Sequence, residues 1–208
     1  VEGKKKYYTV ESPTKLLQLH ELKKELLNQA LPELTAFYNN PEMSKPYISY
    51  IDPATMRDAA MLAELERCRA YGTPRPESQA IRAHVPAVFW SFANSWRDVF
   101  HTGVADHAIK ELCRLYVSRS VLCEFCGNQR SIKAAKAGEV IEDQSKDLIN
   151  FESSSRYSEK QKAALSYAEA ISWDLAVDQR FWARLHKHFN EPELVEIGYF
   201  IALTMGQQ

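Results

Sequence analysis

Apolar residues recur at intervals of three and four along most of this chain, which is the spacing of one face of an amphipathic helix. The runs from Leu16 to Leu27 and from Ile109 to Val117 show this spacing most clearly. Strict alternation of apolar and polar residues, the pattern of a half-buried strand, persists nowhere in the sequence. The 7 glycines among 208 residues also leave few positions for tight hairpins. The pattern predicts an all-α fold, a bundle of helices.

Proline and capping residues predict where the helices of the first half begin and end. Asp52, which precedes a proline, predicts the start of a helix that runs to Gly72. The next helix is predicted to begin near Pro76, to kink at Pro86 and to continue to Gly103.

Similar signals divide the second half of the chain. Ser120 predicts the start of the helix that carries two cysteines, and Gly138 predicts its end as a left-handed terminator. The other predicted starts are Asp106, Asp178 for a short helix to Phe189, and two capping boxes, Ser158–Gln161 and Asn190–Glu193.

The domain organisation is predicted to be simple. Residues 1–13 are Lys-rich and then polar without a period, which is typical of a solvated tail. Residues 14–208 are predicted to form a single domain, with N-terminal helices in 14–75 and the cysteine-bearing core in 76–208. Because the chain starts at Val1 and stops at Gln208 without a helix-ending signal, we expect it to be an internal portion of a longer product.

Charge and hydropathy exclude two classes of partner. The 26 Lys and Arg residues nearly balance the 27 Asp and Glu residues, so there is no electrostatic case for nucleic-acid binding. No apolar stretch approaches the roughly 18 to 20 residues of a membrane span, and no apolar signal segment follows the basic start. These features predict a cytoplasmic protein without nucleic-acid or membrane partners.

Candidate chemistry lies in the segment from Leu122 to Arg130, which contains Cys123 and Cys126 in a CxxC spacing. Two thiols at this spacing can interconvert between dithiol and disulfide with little backbone movement, provided that one is partly a thiolate. If Ser120 caps the helix, Cys123 lies in the first turn, where unpaired amides favour a thiolate. Arg130 lies four residues after Cys126, so it can reach the same helix face and stabilise a charged sulfur.

Two other interpretations of the cysteine pair are open. A zinc site needs two further ligands, but Cys68, Cys113, His84 and His107 show no second CxxC and no HxxxH spacing, so no metal is predicted. Inert burial is the second alternative, although the polar residues that follow Cys126 disfavour it. Cys68 and Cys113 lie on apolar stripes and are predicted to be core residues.

Several stretches together resemble the carboxymuconolactone decarboxylase superfamily, specifically its alkyl hydroperoxidase D (AhpD)-like branch. The likeness covers about residues 80–206 and includes Glu111, which lies on the helix before the CxxC. The resemblance implies an AhpD-like helical bundle that assembles as a trimer or hexamer, and we expect no cofactor. The segments that carry it are Arg82–Pro86, Lys110–Leu115, Cys123–Cys126 and Tyr157–Leu165.

In that family a CxxC reduces hydroperoxides or transfers reducing equivalents, and a proton relay deprotonates one thiol. Glu111 matches the relay glutamate, but Arg130 stands where the family has its relay histidine, and Phe125 occupies another position often filled by histidine. Because arginine stays protonated near neutral pH, it cannot shuttle a proton, and Glu111 would have to be the base. The alternative for Glu111 is an ion pair with Arg114 or Lys110.

The resemblance predicts a thiol-dependent peroxidase or disulfide oxidoreductase with a small hydroperoxide or disulfide substrate and an external thiol reductant. The family analogy makes Cys126 the attacking sulfur, whereas the helix dipole favours Cys123, and we prefer Cys126 at this stage. One alternative function is a decarboxylase or lyase on a small cyclic carboxylic acid, with Glu111, His84 and Arg130 binding and protonating the substrate. The other is a catalytically degenerate oligomeric scaffold.

Overall fold

The computed structural model describes residues 47–137 and 147–206, together with positions 21, 24, 25 and 144. The chain divides into two compact units, Val1–Ser49 and Tyr50–Gln208, and the fold described below is that of the second unit. All regular structure in its described part is helical, so the predicted all-α fold is confirmed. The predicted tail, most of the helix predicted from Leu16 to Leu27, and Gly138 lie outside the described residues.

Nine α-helices make up most of the described residues. In chain order they are α1 (Ala59–Tyr71), α2 (Pro76–Arg82), α3 (Pro86–Ser95), α4 (His107–Ser120), α5 (Glu124–Gly127), α6 (Ile132–Ala137), α7 (Glu159–Ser172), α8 (Gln179–His186) and α9 (Glu191–Met205). Between them lie two short 3-10 helices, Pro53–Thr55 and Leu148–Asn150, and a π-helical segment, Trp96–His101. None of the helices in this part of the chain has the length and apolarity needed to cross a bilayer.

The central helix is α4, in which every residue from His107 to Ser118 is buried. It packs mainly against α7 and α9, and side chains such as Leu112, Leu165 and Ile197 fill the space between the three helices. Burying side chains of this size contributes about 1.5 to 3 kcal/mol each. Because α4 is buried on all sides, its charged side chains need partners inside the protein. A second cluster joins the π-helical segment to α3 and α9 through Phe92, Trp96, Phe100 and Phe200.

The first long helix begins later than the sequence predicts. Asp52 caps only the 3-10 helix Pro53–Thr55, accepting the N–H of Ala54. The cap of α1 is Asp58, whose carboxylate accepts two amide hydrogens of the first turn. The prediction that Asp52 starts the long helix is therefore wrong, whereas the predicted end at Gly72 is confirmed by its left-handed φ of 78°.

Proline separates α2 from α3. The sequence predicts one helix that kinks at Pro86, but α2 ends at Arg82 and α3 begins at Pro86. Val85 is extended, with φ −129° and ψ 97°, because the proline ring disfavours a helical conformation in the residue before it. The predicted kink is thus a complete break between two helices.

The chain between α4 and α6 differs most from its prediction. Ser120 is the last residue of α4, and its hydroxyl donates to Val117 O at 2.8 Å instead of capping a new helix. The new helix, α5, has only 4 residues and is capped by Cys123. A break then separates α5 from α6. The prediction of one continuous cysteine-bearing helix that starts after Ser120 is therefore wrong.

Local capping signals elsewhere in the second half are confirmed. The Ser158 hydroxyl accepts the Gln161 N–H at 3.2 Å, and the Gln161 side chain accepts the Ser158 N–H at 2.9 Å. The box Asn190–Glu193 forms in the same way, and Asp106 and Asp178 cap α4 and α8. These caps fix the ends of the helices that surround α4.

Candidate active site

The two cysteines of the CxxC lie just after α4 with their sulfurs in contact. The Sγ atoms are 2.6 Å apart, and both cysteines are free and partly exposed. A disulfide bond measures about 2.05 Å, so the thiols can be linked with only a small movement. Cys68 and Cys113 are buried, as predicted.

The local backbone geometry places the Cys123 sulfur where it accepts a hydrogen bond from a backbone amide. Leu122 has a positive φ of 56°, which turns the chain at the end of α4. The Cys123 N–H donates to Ser118 O at 3.0 Å, and the Cys123 sulfur accepts the Cys126 N–H at 3.3 Å. The Cys123 sulfur therefore caps the short helix α5.

The surroundings of Cys126 favour its protonated form. Burial, the hydrogen bond to Cys123 and the charge of Cys123 together raise the pKa of Cys126 to about 12, while the guanidinium groups of Arg114 and Arg82 act in the opposite direction. Cys126 therefore keeps its proton near neutral pH. The two sulfurs are therefore in unequal surroundings, and Cys126 is the one whose thiol holds its proton.

Glu111 is buried in α4 and bound by Arg114. Arg114 Nε donates to Glu111 Oε2 at 2.7 Å and Nη2 donates to Oε1 at 2.9 Å, and the Ser131 N–H donates to Oε1 at 2.9 Å. The structure thus forms the ion pair with Arg114, and Lys110 instead pairs with Glu196 at 2.7 Å. The relay role of Glu111 stays a prediction.

Arg114 also joins Glu111 to the cysteine loop. Its Nη1 donates to Cys126 O at 2.9 Å and its Nη2 donates to Gln129 O at 2.8 Å. One buried guanidinium therefore satisfies a carboxylate and two loop carbonyls while lowering the pKa of Cys126. The sequence shows the three-residue spacing between Glu111 and Arg114, but the contact with the loop depends on tertiary packing.

A second network fixes the start of α6. His107 Nδ1 lies 2.8 Å from Phe100 O, which can only accept, so Nδ1 carries the proton and Nε2 accepts the Ser131 hydroxyl at 2.7 Å. Burial lowers the pKa of His107, so the ring is neutral. Because Ser131 also binds Glu111, the two networks meet at Ser131 and position the chain after Cys126. From the sequence, His107 is considered only as a possible metal ligand, so its role in positioning Ser131 was not predicted.

Arg130 and His84 complete the set of predicted site residues. Arg130 Nη1 donates to Gly127 O at 2.6 Å and to Gln129 O at 2.8 Å, so this side chain braces the cysteine loop. His84 is exposed in the connection between α2 and α3. Thiolate stabilisation by Arg130 and substrate binding by His84 stay predictions.

The two remaining cysteines make contacts within the core. The Cys68 thiol donates to Glu64 Oε1 and the Cys113 thiol donates to Ala164 O, each at 3.6 Å. Burial raises the pKa of each of these thiols to about 12. Within the described ranges, no group of three or more His, Cys, Asp or Glu side chains is placed to hold a metal ion.

An open groove of about 740 Å³ lies between α3 and α9. Its lining includes Arg82, Phe92, Tyr199 and Leu203. The Arg82 guanidinium stacks on Phe92, with its carbon 3.8 Å from the ring centroid. The same guanidinium also acts to lower the pKa of Cys126. The sequence gives no signal for this effect of Arg82.

Comparison with known proteins identifies relatives in fold only. No family model matches the chain, and no curated protein matches it in sequence. The fold is similar to that of the debrominase Bmp8 in its apo crystal structure, with a TM-score of 0.64, 16% identity, and coverage of 77% of this chain and 85% of that chain. A cysteine-to-alanine variant of Bmp8 in complex with 2,3,4-tribromopyrrole is similar with the same TM-score and coverage and 15% identity. The carboxymuconolactone decarboxylase resemblance stays a prediction from the sequence.

Proposed function

We propose that this protein is a thiol-dependent oxidoreductase that reduces hydroperoxides by cycling Cys123 and Cys126 between dithiol and disulfide. The observation that carries the proposal is the contact of two free, partly exposed thiols 2.6 Å apart. Their unequal surroundings support it, because Cys123 accepts an amide hydrogen and Cys126 has a raised pKa. A small hydroperoxide or disulfide is the substrate, an external thiol is the reductant, and the protein acts as a homo-oligomer.

In the first step, the Cys123 thiolate attacks the terminal oxygen of the hydroperoxide. The S–O bond forms, the O–O bond breaks, and the leaving alkoxide takes the proton of the Cys126 thiol to become an alcohol. Cys123 is now a sulfenic acid and Cys126 a thiolate. We assign the attack to Cys123 rather than to Cys126, which the family analogy favoured, because the Cys123 sulfur accepts the Cys126 amide hydrogen, whereas the raised pKa of Cys126 keeps its thiol protonated.

In the second step, the Cys126 thiolate attacks the sulfur of the Cys123 sulfenic acid. The S–S bond forms, the S–O bond breaks, and the departing hydroxide takes a proton from solvent to leave as water. Two electrons have passed from the thiols to the peroxide. An external dithiol then reopens the disulfide by exchange and is itself oxidised.

Thiol counting tests this cycle directly. Reduced protein receives one equivalent of a hydroperoxide, free thiols are counted, and linked peptides are mapped by mass spectrometry. We expect two thiols per chain to be lost, with the new link inside the segment Leu122 to Arg130. Cys68 and Cys113 are the internal control, since their burial should leave them unmodified. Unchanged thiols under excess peroxide would favour the degenerate scaffold.

Single serine variants separate the roles of the two sulfurs. Cys123→Ser should consume no peroxide, whereas Cys126→Ser should consume one equivalent and stop as a sulfenic acid that a dimedone probe captures. Full turnover by Cys126→Ser would exclude the dithiol cycle. The reverse pattern, with one equivalent consumed by Cys123→Ser only, would make Cys126 the attacking sulfur.

Reductive debromination is a second candidate, and the fold of the debrominase Bmp8 is the observation that favours it. Here the two thiols would supply two electrons that convert a C–Br bond of an aromatic ring to C–H, releasing bromide and a proton and leaving the disulfide. Reduced protein mixed with 2,3,4-tribromopyrrole should then release bromide and lose two thiols per bromide. No bromide release would exclude this candidate for that compound.

The decarboxylase alternative makes a different prediction. Its activity would depend on Glu111, His84 and Arg130 rather than on sulfur, so alkylating the thiols would leave turnover unchanged. Measuring carbon dioxide release from small cyclic acids before and after alkylation distinguishes it from both thiol mechanisms.

A further inference from the structure

We propose that Arg114 is a positioning residue that holds the cysteine loop in the conformation from which the disulfide forms. This role rests on the proposed function, in which Cys123 and Cys126 cycle between dithiol and disulfide. A residue of the buried helix α4, which carries neither sulfur of the pair, would then determine how readily the bond between the two sulfurs closes.

The helix that carries Cys126 is too short to hold its own conformation. α5 has only 4 residues, and isolated helices shorter than about 12 to 15 residues are marginal in water. The last carbonyl groups of a helix also have no partner within that helix. The position of Cys126 relative to Cys123 therefore depends on contacts from outside α5.

Arg114 supplies such contacts at two points of the loop. Its Nη1 donates to Cys126 O at 2.9 Å and its Nη2 donates to Gln129 O at 2.8 Å. On the other side of Cys126, the N–H of this residue donates to the Cys123 sulfur at 3.3 Å. Both peptide groups of Cys126 are therefore held, one by Arg114 and one by Cys123, with the two sulfurs 2.6 Å apart.

The Arg114 side chain is itself fixed in place. It is 2% exposed, and its Nε and Nη2 bind the two carboxylate oxygens of Glu111 at 2.7 and 2.9 Å. Glu111 Oε1 also accepts the Ser131 N–H at 2.9 Å, which ties the carboxylate to the chain after the loop. Because a guanidinium is a planar and rigid set of donors, one that is anchored in this way holds both loop carbonyls in fixed positions.

Holding two thiols in contact favours the bond between them. The sulfurs need to approach only from 2.6 Å to about 2.05 Å. Groups that are already close to their final geometry lose little freedom when they react. Without the contacts from Arg114, Cys126 is free to move away from Cys123, and the disulfide forms less favourably.

The positive charge of Arg114 acts on the same equilibrium in the opposite direction. It lowers the pKa of Cys126 and so stabilises a thiolate, which belongs to the reduced protein. Loss of the charge alone would therefore favour the disulfide, whereas loss of the positioning contacts disfavours it. The sign of the change in an Arg114 variant separates the two effects.

Equilibration with glutathione measures this effect without any peroxide. Each protein disulfide that forms reduces one glutathione disulfide to two glutathione thiols. The free and linked forms of the Cys123–Cys126 peptide are then quantified by mass spectrometry at a series of glutathione ratios. The result is the equilibrium constant for disulfide formation in the full-length protein.

The principal variant combines Arg114→Met with Glu111→Gln, so that neither buried charge is left without its partner. We expect the equilibrium constant for disulfide formation to fall about tenfold or more, the size expected for losing hydrogen bonds to a charged group. A tenfold fall raises the reduction potential by about 30 mV.

A matched control removes another ion pair that involves α4. Lys110→Met combined with Glu196→Gln deletes a pair at 2.7 Å whose lysine is buried. This variant should leave the equilibrium constant unchanged, since neither residue contacts the cysteine loop in the described structure. Urea unfolding of both double variants measures the stability that each one loses.

Arg114→Lys keeps both charges of the pair and covers the case in which the principal variant does not fold. An ammonium is a compact charge on a flexible stem, so it cannot bind two carboxylate oxygens and two carbonyls in one plane. We expect the equilibrium constant to fall in this variant as well.

Failure of the inference and failure of the proposed function give different results. A constant that is unchanged in Arg114→Lys, or that is unchanged or higher in the folded double variant, overturns the inference, and so does an equal fall in the Lys110 control. A fall specific to the Arg114 variants in a protein whose thiols resist hydroperoxides supports the positioning role and refutes the peroxidase. A protein that forms no Cys123–Cys126 disulfide refutes both.

Discussion

At the scale of single residues, the chemistry depends on which sulfur holds the proton. Cys123 accepts the Cys126 amide hydrogen at 3.3 Å. Cys126 is held by the loop that Arg114 binds through two carbonyls, and its sulfur lies against Cys123. Neither arrangement needs a histidine at position 130, where the family that the sequence resembles has its proton relay. In the proposed cycle, the proton that the leaving alkoxide requires comes from the Cys126 thiol, whose pKa is raised.

The pKa of Cys126 should respond to its neighbours in opposite directions. In Cys123→Ser the neighbouring sulfur and its charge are lost, so the pKa of Cys126 should fall from about 12 toward its ordinary value. In Arg82→Gln a positive group is lost, so the pKa should rise. The pH dependence of alkylation at the Cys126 peptide, followed by mass spectrometry, measures both changes. Shifts of the same sign in the two variants would contradict this account of the pair.

Glu111→Gln should destabilise the fold strongly, because it leaves the buried charge of Arg114 without its carboxylate. Both side chains are at most 2% exposed, and breaking a buried ion pair costs about 3 to 5 kcal/mol. Urea unfolding measures the loss. Glu66→Gln, which removes an exposed ion pair with Arg69, is the matched control and should cost less than about 1 kcal/mol. Similar losses in both variants would show that the Glu111 pair contributes little.

At the scale of helices, capping residues in the sequence correctly predicted those helix ends that depend only on neighbouring residues. The capping boxes at Ser158 and Asn190 and the left-handed Gly72 involve residues a few positions apart, and all three form as predicted. Ser120 misled the prediction because serine is a common cap, yet here α4 continues to it and Cys123 takes the capping position. A cysteine cap depends on the turn at 122, and no propensity rule anticipates that turn.

Contacts in the site between segments that are distant in the sequence could not be predicted, because they depend on how the helices pack. Arg114 contacts Cys126 O only because α4 packs beside the cysteine loop, and the effect of Arg82 on the pKa of Cys126 also depends on the tertiary structure. The sequence shows the candidate Glu111 and its possible partner Arg114, since they share one helix face. It does not show that the guanidinium extends to Cys126 O and Gln129 O. The candidate site residues could therefore be identified from the sequence, whereas the hydrogen bonds between them depended on the tertiary structure.

The turn between α4 and α5 carries a backbone cost that a variant can reveal. Leu122 has a φ of 56° and is 86% exposed, so its side chain gains little from burial. A left-handed conformation costs a non-glycine residue roughly 1 to 2 kcal/mol, and a glycine at this position would remove that strain. Glycine also has more conformational freedom in the unfolded chain, which offsets about 0.4 to 1 kcal/mol of the stability gained.

Leu122→Gly should therefore raise the free energy of unfolding by about 0.5 kcal/mol. Leu175→Gly is the control, because Leu175 is also partly exposed, at 49%, but lies outside the left-handed region. That variant should lower the free energy of unfolding by about 0.5 to 1 kcal/mol. Urea unfolding of both variants measures the contrast, and equal destabilisation would mean that the leucine at 122 is not strained.

At the scale of the whole molecule, stability depends on buried polar groups and on the partners that the fold gives them. Lys110, Glu111 and Arg114 lie inside α4 and are neutralised by partners. The rings of His101 and His107 lie against each other, with centroids 5.6 Å apart. Burial lowers the pKa of both rings, and the charges of Arg67 and Lys133 further lower that of His101. The folded protein therefore holds two neutral histidines that the unfolded chain can protonate.

The sign of the resulting pH dependence follows from the shift. An unfolded histidine has a pKa of about 6.5, and the pKa of His101 in the folded protein is about 3. Between these values the unfolded chain binds a proton that the folded chain does not, so His101 lowers the free energy of unfolding as pH falls below 6.5, by up to about 1.4 kcal/mol per pH unit. Above pH 6.5 it contributes no slope.

His101→Phe should flatten that slope, because it keeps an aromatic ring beside Tyr71 and Phe100 and removes the titrating group. Urea unfolding at pH 7, 6 and 5 measures the slope in each protein. His186→Phe is the control, since His186 is exposed, and its slope should match that of the unmodified protein. If His101→Phe and the unmodified protein lose stability in parallel between pH 6.5 and 5, His101 is already charged in the folded state, and the aromatic cluster around it must tolerate a cation.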